Sequence, residues 1–514
     1  MQIIGFLKGP LKGDFLGMAV APAGDVNQDG YADFLAGAVR EQAGLPVGVG
    51  RTYLYYGGPG IVDTVPDVTF PLPGDPLVNL GDINGDGLPD YALWPGDSLS
   101  VRVYYGGNPP DTVPDLIFSP EFPRDLLGFQ VASGDVNGAN GRDLLISAPH
   151  YPNDDLFING RVYLYNNNGL VGIDTTADWM VTGAGLAQNK LTLGVGSIII
   201  TDFNGDGFAD ILAGEPGTSN NNTPGSIHIF LGKSNPLTIP DTTFRQPDWA
   251  FGTILSAAGD LNGDRYGDFV TLSSGSTGIP FVYFGGPVLD TLPDLSLDHI
   301  AFVYASAGDI NHDGYQDLLT GDPRGTNFLT GYVYVYFGGP NMDNRADVII
   351  DEADLPIPAP DFGQALAGVG DVNGDGVDDF IVGAEEGIAD STDRGQVWVF
   401  AGDSDLISTD VEEIPSPRPI FESRLEQNYP NPFNSQATIE YDLKAPRPLP
   451  VRLVIYDLLG RTVRILVNET QRTGRYRVTW DGKDESGRNV ASGVYLYQLR
   501  AGNYSETKKL VLIK

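Results

Sequence analysis

The chain has 514 residues and a formal net charge of −36, with 31 Lys and Arg against 67 Asp and Glu. Such an excess of acid argues against nucleic acid and anionic membrane surfaces as partners and favours cations or ligands bridged by them. Cysteine is absent, which excludes a disulfide framework and thiolate metal sites, and no apolar run is long enough to span a membrane.

From the start of the chain, "QIIGF" at residues 2 to 6 reads as an isolated strand ahead of a repeating unit. The unit opens with a small-residue strand, "LGMAVAPAG", and continues into "DVNQDGYAD" at residues 25 to 33. A strand "YADFLAGA" follows, then the alternating aromatic strand "RTYLYYGG", and a looser fourth segment begins at a "DTVPD" turn at Asp63. The acidic nonapeptide recurs as "DINGDGLPD" from Asp82, "DVNGANGRD" from Asp135, "DFNGDGFAD" from Asp202, "DLNGDRYGD" from Asp260, "DINHDGYQD" from Asp309 and "DVNGDGVDD" from Asp371. Further fourth-segment turns start at Asp111 and Asp290.

A period of 49 to 67 residues with four strands in each unit predicts an all-β fold, a seven-bladed β-propeller. After the seventh motif only two strands remain before "AGDSDL", so the N-terminal strand is expected to complete the last blade and close the ring. A tandem solenoid has no use for that offset.

Like charges so close together are costly unless a cation lies between them. Oxygen donors at alternating positions of a tight loop suit Ca²⁺, whereas Mg²⁺ demands a stricter octahedron. The expected donors are Asp25, Asn27, Asp29, the Tyr31 carbonyl and Asp33 in loop one, and Asp82, Asn84, Asp86, Leu88 and Asp90 in loop two. Loop four offers Asp202, Asn204, Asp206, Phe208 and Asp210, and loop five Asp260, Asn262, Asp264, Tyr266 and Asp268. Loop six offers Asp309, Asn311, Asp313, Tyr315 and Asp317, and loop seven Asp371, Asn373, Asp375, Val377 and Asp379. The seventh-position residue contributes its carbonyl in each. An EF-hand is excluded, because its last ligand is a Glu at position twelve between helices. A metal-free Asx-turn needs only one of these acids, so their recurrence favours an ion.

Loop three has Ala139 where the fifth-position acid belongs, leaving Asp135, Asn137 and Asp143, and is expected to bind weakly or not at all. Loop five carries Arg265 in place of the turn glycine. Six occupied calcium sites are expected.

These motifs, with "FLG…GDVNQDGYADFLAGA" from Phe15 and "DFGQALAGVGDVNGDGVDDFIVGAEE" from Asp361, resemble the FG-GAP repeats of integrin α-subunit propellers over about four-fifths of the chain. The resemblance implies a propeller with calcium loops and a ligand-binding face. It does not imply a single activity, since such propellers occur in adhesins and in hydrolases and lyases.

Residues 403 to 424 are acidic and hold Pro and Ser without periodicity, which reads as a linker between a propeller at 1–402 and a small β-sandwich at 425–514. From residue 420 onward the charge reverses, with 15 Lys and Arg against 10 Asp and Glu. "NYPNPFN" at 428 to 434, "IYDLLGRTV" at 455 to 463, "WDGKDESGRNVASGVYLYQL" at 480 to 499 and the terminal "KKLVLIK" resemble the sorting domain of type IX secretion cargo, kin to the immunoglobulin-like domain of hook-capping proteins. That resemblance implies recognition by an outer-membrane export machine and a place at the cell surface or outside it. A secretory signal is not read at the front of this chain, so a trimmed or miscalled start is expected.

Signals for catalysis are thin. His150, His228, His299 and His312 fall in unrelated contexts, and no nucleophile-elbow, zincin or phosphate-loop motif is present. Binding of a glycan or protein ligand is the expected activity. The alternative is a calcium-dependent polysaccharide hydrolase or lyase working at the channel mouth. Trp94, Trp179 and Trp249 are sugar-stacking candidates, or pack between blades.

Overall fold

The computed structural model describes all residues except 10–14, 40–49, 96–99, 123–124, 152–158, 170–171, 184–192, 194–196, 218–222, 235, 237, 274–277, 290, 325–329, 341, 386–393, 405–411, 415–422, 435, 444–448, 458–460, 472–473, 485–487, 503 and 514. The turn read at Asp290 and most of the stretch read as a linker therefore lie outside the described residues. The chain divides into two compact units, Met1–Asp405 and Leu406–Lys514.

The first unit holds seven four-stranded antiparallel sheets among the described residues. In blade one the order is Leu16–Gly24, Asp33–Val39, Gly50–Tyr55 and Val68–Phe70. Small residues dominate the first strand because the innermost strands crowd round a common axis. These strands neighbour one another in cyclic order, the last of them, Phe362–Gly370, returning to Leu16–Gly24. The last sheet is completed by Gln2–Lys8, which pairs antiparallel with Gln396–Ala401 from Gln2 opposite Ala401 to Lys8 opposite Gln396. Phe6 lies on Trp398 across this joint at 4.5 Å. The ring is closed by its own first strand, which leaves no open sheet edge at the joint.

The unit has no single central core. Its buried apolar residues form seven clusters, and each cluster straddles the seam between two consecutive blades. The aromatic third strands fill these seams: Phe269 stacks on Tyr283 at 4.9 Å, with Phe244 of the preceding blade 5.4 Å from Tyr283. Each fully buried Phe or Tyr contributes about 1.5–3 kcal/mol, so stability is distributed round the ring. The axis holds a cavity of about 570 Å³ lined by the innermost strands of six blades and, from blade three, by Gln130 just ahead of its first strand; its polar side chains include Asn79, Gln130, Ser256, Tyr304, Ser306 and Gln316.

The second unit is a sandwich of two four-stranded sheets. Trp480, Phe433, Tyr441, Tyr476 and Tyr497 lie in its core. The "NYPNPFN" segment ties the C-terminal strand: the Phe433 N–H donates to the Val511 carbonyl at 2.9 Å, and Ile513 N–H donates back to Phe433 at 2.8 Å. Within 403–424, read as linker, the described residues include strand at two places. Glu412–Ile414 is a strand paired with Arg475–Arg477, too short to show an alternation in the sequence. The second is Arg424, which begins Arg424–Leu425 and pairs with Asp442.

Candidate functional site

Each acidic nonapeptide joins the first strand of a blade to the second. Its path includes a positive φ of 61° to 93° at the sixth position in all seven copies: Gly30, Gly87, Asn140, Gly207, Arg265, Gly314 and Gly376. Glycine and, less readily, asparagine adopt that conformation; an arginine there is strained by about 1–2 kcal/mol. Arg265, in the place of the turn glycine, takes that conformation at φ 76°. Arg265→Gly is expected to stabilise the protein by about 1 kcal/mol, read as a rise in melting temperature; an unchanged or lower value would show that the arginine side chain offsets the strain.

In loop one, the Asp25 carboxylate accepts the N–H groups of Asp29 at 3.1 Å and Gly30 at 3.0 Å. The Asn27 side-chain oxygen also accepts from Asp29 N–H, at 2.9 Å, and its amide nitrogen donates to Asp29 Oδ2 at 2.9 Å. Asp29 Oδ1 accepts from Tyr31 N–H at 3.0 Å. The same set recurs in loops two, four, five and six, for example Gly87 N–H to Asp82 Oδ2 at 2.8 Å and Gly207 N–H to Asp202 Oδ2 at 3.0 Å. Loop seven departs at its amide, where Asn373 Nδ2 donates to Asp379 instead.

The ninth aspartate has a duty the spacing did not reveal. It is fully buried, and its two oxygens split between distant backbone donors. Asp33 Oδ2 accepts from Val26 N–H at 2.9 Å and Oδ1 from Gly57 N–H at 2.8 Å, stapling the loop to the link between the third and fourth strands. Asp90, Asp143, Asp210, Asp268, Asp317 and Asp379 repeat the pattern, with Gly106, Asn167, Gly232, Gly285, Gly338 and Gly402 as the distant donors. The sequence signal was the glycine pair after most aromatic strands, as in "YYGG". Burial pushes the Asp33 carboxyl up to about 7, partly offset by those N–H donors, and the charges of Asp29 and Asp25 raise it further. Asp90 and Asp143 reach about 6, Asp210, Asp268 and Asp379 about 7, and Asp317 about 8, burial being the main cause in each.

Loop three keeps the closure without the fifth acid. Ala139 N–H donates to Asp135 Oδ1 at 3.1 Å, Asn140 N–H to Asp135 Oδ2 at 3.0 Å, and Asp143 holds its staple. The first and ninth acids thus serve loop closure by themselves, and the fifth acid is the one closure can do without. Arg142 beside them donates from Nε to the Leu80 carbonyl at 2.6 Å.

Six loops therefore carry, within nine residues of sequence, three carboxylates, one amide oxygen and a backbone carbonyl, an oxygen-only set of the kind a hard cation takes. The charges of the first and fifth acids are near enough to raise the proton affinity of the ninth. In the geometry described, these oxygens face the loop's own N–H groups, and among the described residues no three His, Cys, Asp or Glu side chains stand together as a metal-holding group. The donor chemistry fits calcium; occupancy calls for carboxylate lone pairs beyond those engaged by the backbone.

Elsewhere, His228 is buried, with Nε2 2.7 Å from Glu215 and Nδ1 3.0 Å from Thr243. His299 is buried and stacks on Tyr334 at 4.1 Å, while His312 occupies the fourth position of loop six and is exposed. Of the three tryptophans, Trp179 is buried against Phe230, Trp94 packs near Phe129, and Trp249 alone is substantially exposed, at 38%.

The fold and its loops define a class: a β-propeller whose blades each carry an acidic oxygen-donor loop, followed by an immunoglobulin-like sandwich. Comparison with known proteins gives the particular kind. The FG-GAP repeat description matches residues 305–336 and 362–400, the FG-GAP-like repeat description residues 202–271, and the FlgD Ig-like domain description residues 430–505. Among similar proteins, integrin alpha pat-2 of Caenorhabditis elegans is 26% identical over 300 residues, covering 58% of this chain and 21% of that protein. Integrin alpha-V of Gallus gallus is 31% identical over 207 residues, covering 37% and 20%. Phosphatidylinositol-glycan-specific phospholipase D of Rattus norvegicus is 27% identical over 285 residues, covering 52% and 28%. The chain thus spans about a fifth to a quarter of the length of these relatives. It carries FG-GAP repeats similar to those of integrin α-subunits, and a FlgD Ig-like domain at its C-terminal end.

Proposed function

We propose that the first unit is a calcium-loaded binding module that engages a protein or glycan ligand at the cell surface or outside it, and that the C-terminal sandwich is the segment by which outer-membrane machinery exports it. The observation that carries the reading is the fifth-position acid. Closure of the loop does without it in loop three, yet six other loops keep it beside two further carboxylates. Similarity to integrin α-subunits supports binding as the activity. Among the described residues no helix is long and apolar enough to cross a membrane.

Asp25, Asn27, Asp29, the Tyr31 carbonyl and Asp33, with their counterparts in loops two, four, five, six and seven, would hold the ion. Bound calcium supplies positive charge between carboxylates that otherwise repel. With Kd on the order of 10⁻⁴ to 10⁻³ M, each site at tenfold excess adds roughly 1.4 kcal/mol of stability. Calcium titrated into the full chain is expected to saturate at about six equivalents, and Ala139→Asp, which restores the missing acid, to add one more. Failure to take up calcium at millimolar concentration would overturn the cation reading.

Binding is tested on a panel of polysaccharides and matrix proteins, with calcium or chelator, scoring retention and released fragments together. Calcium-dependent retention without fragments supports the module. Fragments from one polymer would replace it with the polysaccharide-processing reading, against which the neutral amide and hydroxyl lining of the channel weighs. Export is tested by removing residues 425–514; equal secretion with and without them would sink the sorting role.

A further inference from the structure

We propose that the acidic loops are latched to one another by an aromatic ring resting on a glycine of the preceding loop, and that these latches divide the ring of loops into two coupled runs, loops three to six and loops seven to one. The observation is a correspondence between the fourth position of one loop and the seventh position of the next. A Cβ on Gly138 would overlap the ring of Phe208 in loop four, and one on Gly205 the ring of Tyr266 in loop five. A Cβ on Gly263 would overlap Tyr315 in loop six, and one on Gly374 would overlap Tyr31 in loop one, across the closure of the ring. All four rings are only part-exposed, although they spring from surface loops.

The other three seams have no ring. There the pairs are Gln28 with Leu88, Gly85 with Gly141, and His312 with Val377. Every aromatic seventh residue meets a glycine, and both side-chain-bearing fourth residues, Gln28 and His312, face an aliphatic. All seven fourth positions have positive φ, and Gln28 and His312 adopt it at 62° and 57°. Backbone conformation alone therefore does not require glycine at this place; the ring does. At three of the four ringed seams a hydrogen bond runs alongside: Ala209 N–H to the Asp135 carbonyl at 2.9 Å, Gly267 N–H to Asp202 at 2.8 Å, and Ala32 N–H to Asp371 at 3.0 Å. The acceptor is in each case the carbonyl of the first aspartate of the preceding loop. A ring lost from one loop thus loosens the loop before it, at the residue whose carboxylate closes that loop.

Coupling is a property of loop closure and does not depend on a bound ion, so the test is run in chelator, where failure of the calcium reading has no bearing on it. In the full chain, Tyr266→Ser is expected to speed hydrogen–deuterium exchange of residues 202–210 in loop four by roughly two- to tenfold, with loops one and two unchanged. Tyr266→Phe keeps the ring and is expected to exchange as the natural protein does. Leu88→Ser, at a seam without a latch, is expected to leave residues 25–33 at their natural rate. Installing a latch with Gln28→Gly and Leu88→Tyr is expected to slow exchange of residues 25–33, and decides the matter even if the serine variant fails to fold. Exchange in loop four that ignores Tyr266→Ser, or a new ring that leaves loop one unprotected, overturns the proposal.

Discussion

In chelator and about 1 M salt, the protein is expected to melt roughly 10 °C higher at pH 5 than at pH 8. The seven ninth-position carboxyls are responsible. Their folded pKa values of about 6 to 8 stand above the 3.8 of an ordinary aspartate. Between those limits the native state binds more protons than the unfolded chain, so stability falls as pH rises from about 4 to 8. Below about 4 both states are protonated and the advantage is fully present; above about 8 it is gone. Even a tenfold gain in proton affinity on folding is worth about 1.4 kcal/mol for each group, which sets the size of the effect. The high salt matters because the acidic first unit also repels itself diffusely, and a Debye length of about 3 Å screens that contribution while leaving buried groups largely unscreened. Saturating calcium is expected to flatten the profile at its alkaline end, since the ion and the proton relieve the same repulsion. A melting temperature that stays level from pH 5 to pH 8 in chelator would mean that these aspartates ionise in the fold without cost.

What the sequence made legible was whatever repeats locally. The nonapeptide keeps its acids at fixed spacing, so the loops could be found, aligned and their exceptions at Ala139 and Arg265 noticed. Alternation in "RTYLYYGG" and its relatives marked the third strands, and the odd strand at residues 2 to 6 foretold how the ring closes. Contacts made across the fold left no such local trace. The staple from Asp33 to Gly57 spans 24 residues, and the ring of Tyr31 meets Gly374 from the opposite end of the unit. The very short strands were also hidden: Leu295–Ser296 has two residues and Glu412–Ile414 three, and neither length can display a period. Yet the copies carry information against one another. Comparing the fourth position of each loop with the seventh of the next exposes the latch, a comparison that only a closed ring of blades makes meaningful.

The same comparison at another pair of positions yields the second large effect: Gly267→Ala is expected to destabilise the calcium-saturated protein by about 1–3 kcal/mol, lowering its melting temperature by about 1–4 °C. The residue just before each loop faces the eighth residue of the next loop, and at every one of the seven seams one member of the pair is glycine. Gly24 meets Pro89, Gly81 meets Arg142, Gly134 lies by Ala209, Gly259 meets Gln316, Gly308 meets Asp378 and Gly370 meets Ala32. Only after blade four is the order reversed, with Thr201 in the place of the glycine and Gly267 opposite it. A Cβ on Gly267 would overlap Thr201 Oγ1, and a threonine hydroxyl, fixed directly to Cβ, has little freedom to retreat. Thr201 is tolerated because its strand ends without the positive-φ bulge that Gly24, Gly81, Gly259, Gly308 and Gly370 provide. Gly134, on the neighbouring seam, shows that glycine also fits there without the bulge, and it packs near an alanine. Thr201→Gly alone should cost roughly 0.5–1 kcal/mol from added chain entropy. Combined with Gly267→Ala it recreates the Gly134–Ala209 arrangement, so the double variant should be more stable than the sum of the single losses by about 1–3 kcal/mol. Strict additivity would show that the seam accommodates the extra methyl by moving the blades apart, and that the one-glycine rule reflects something other than contact.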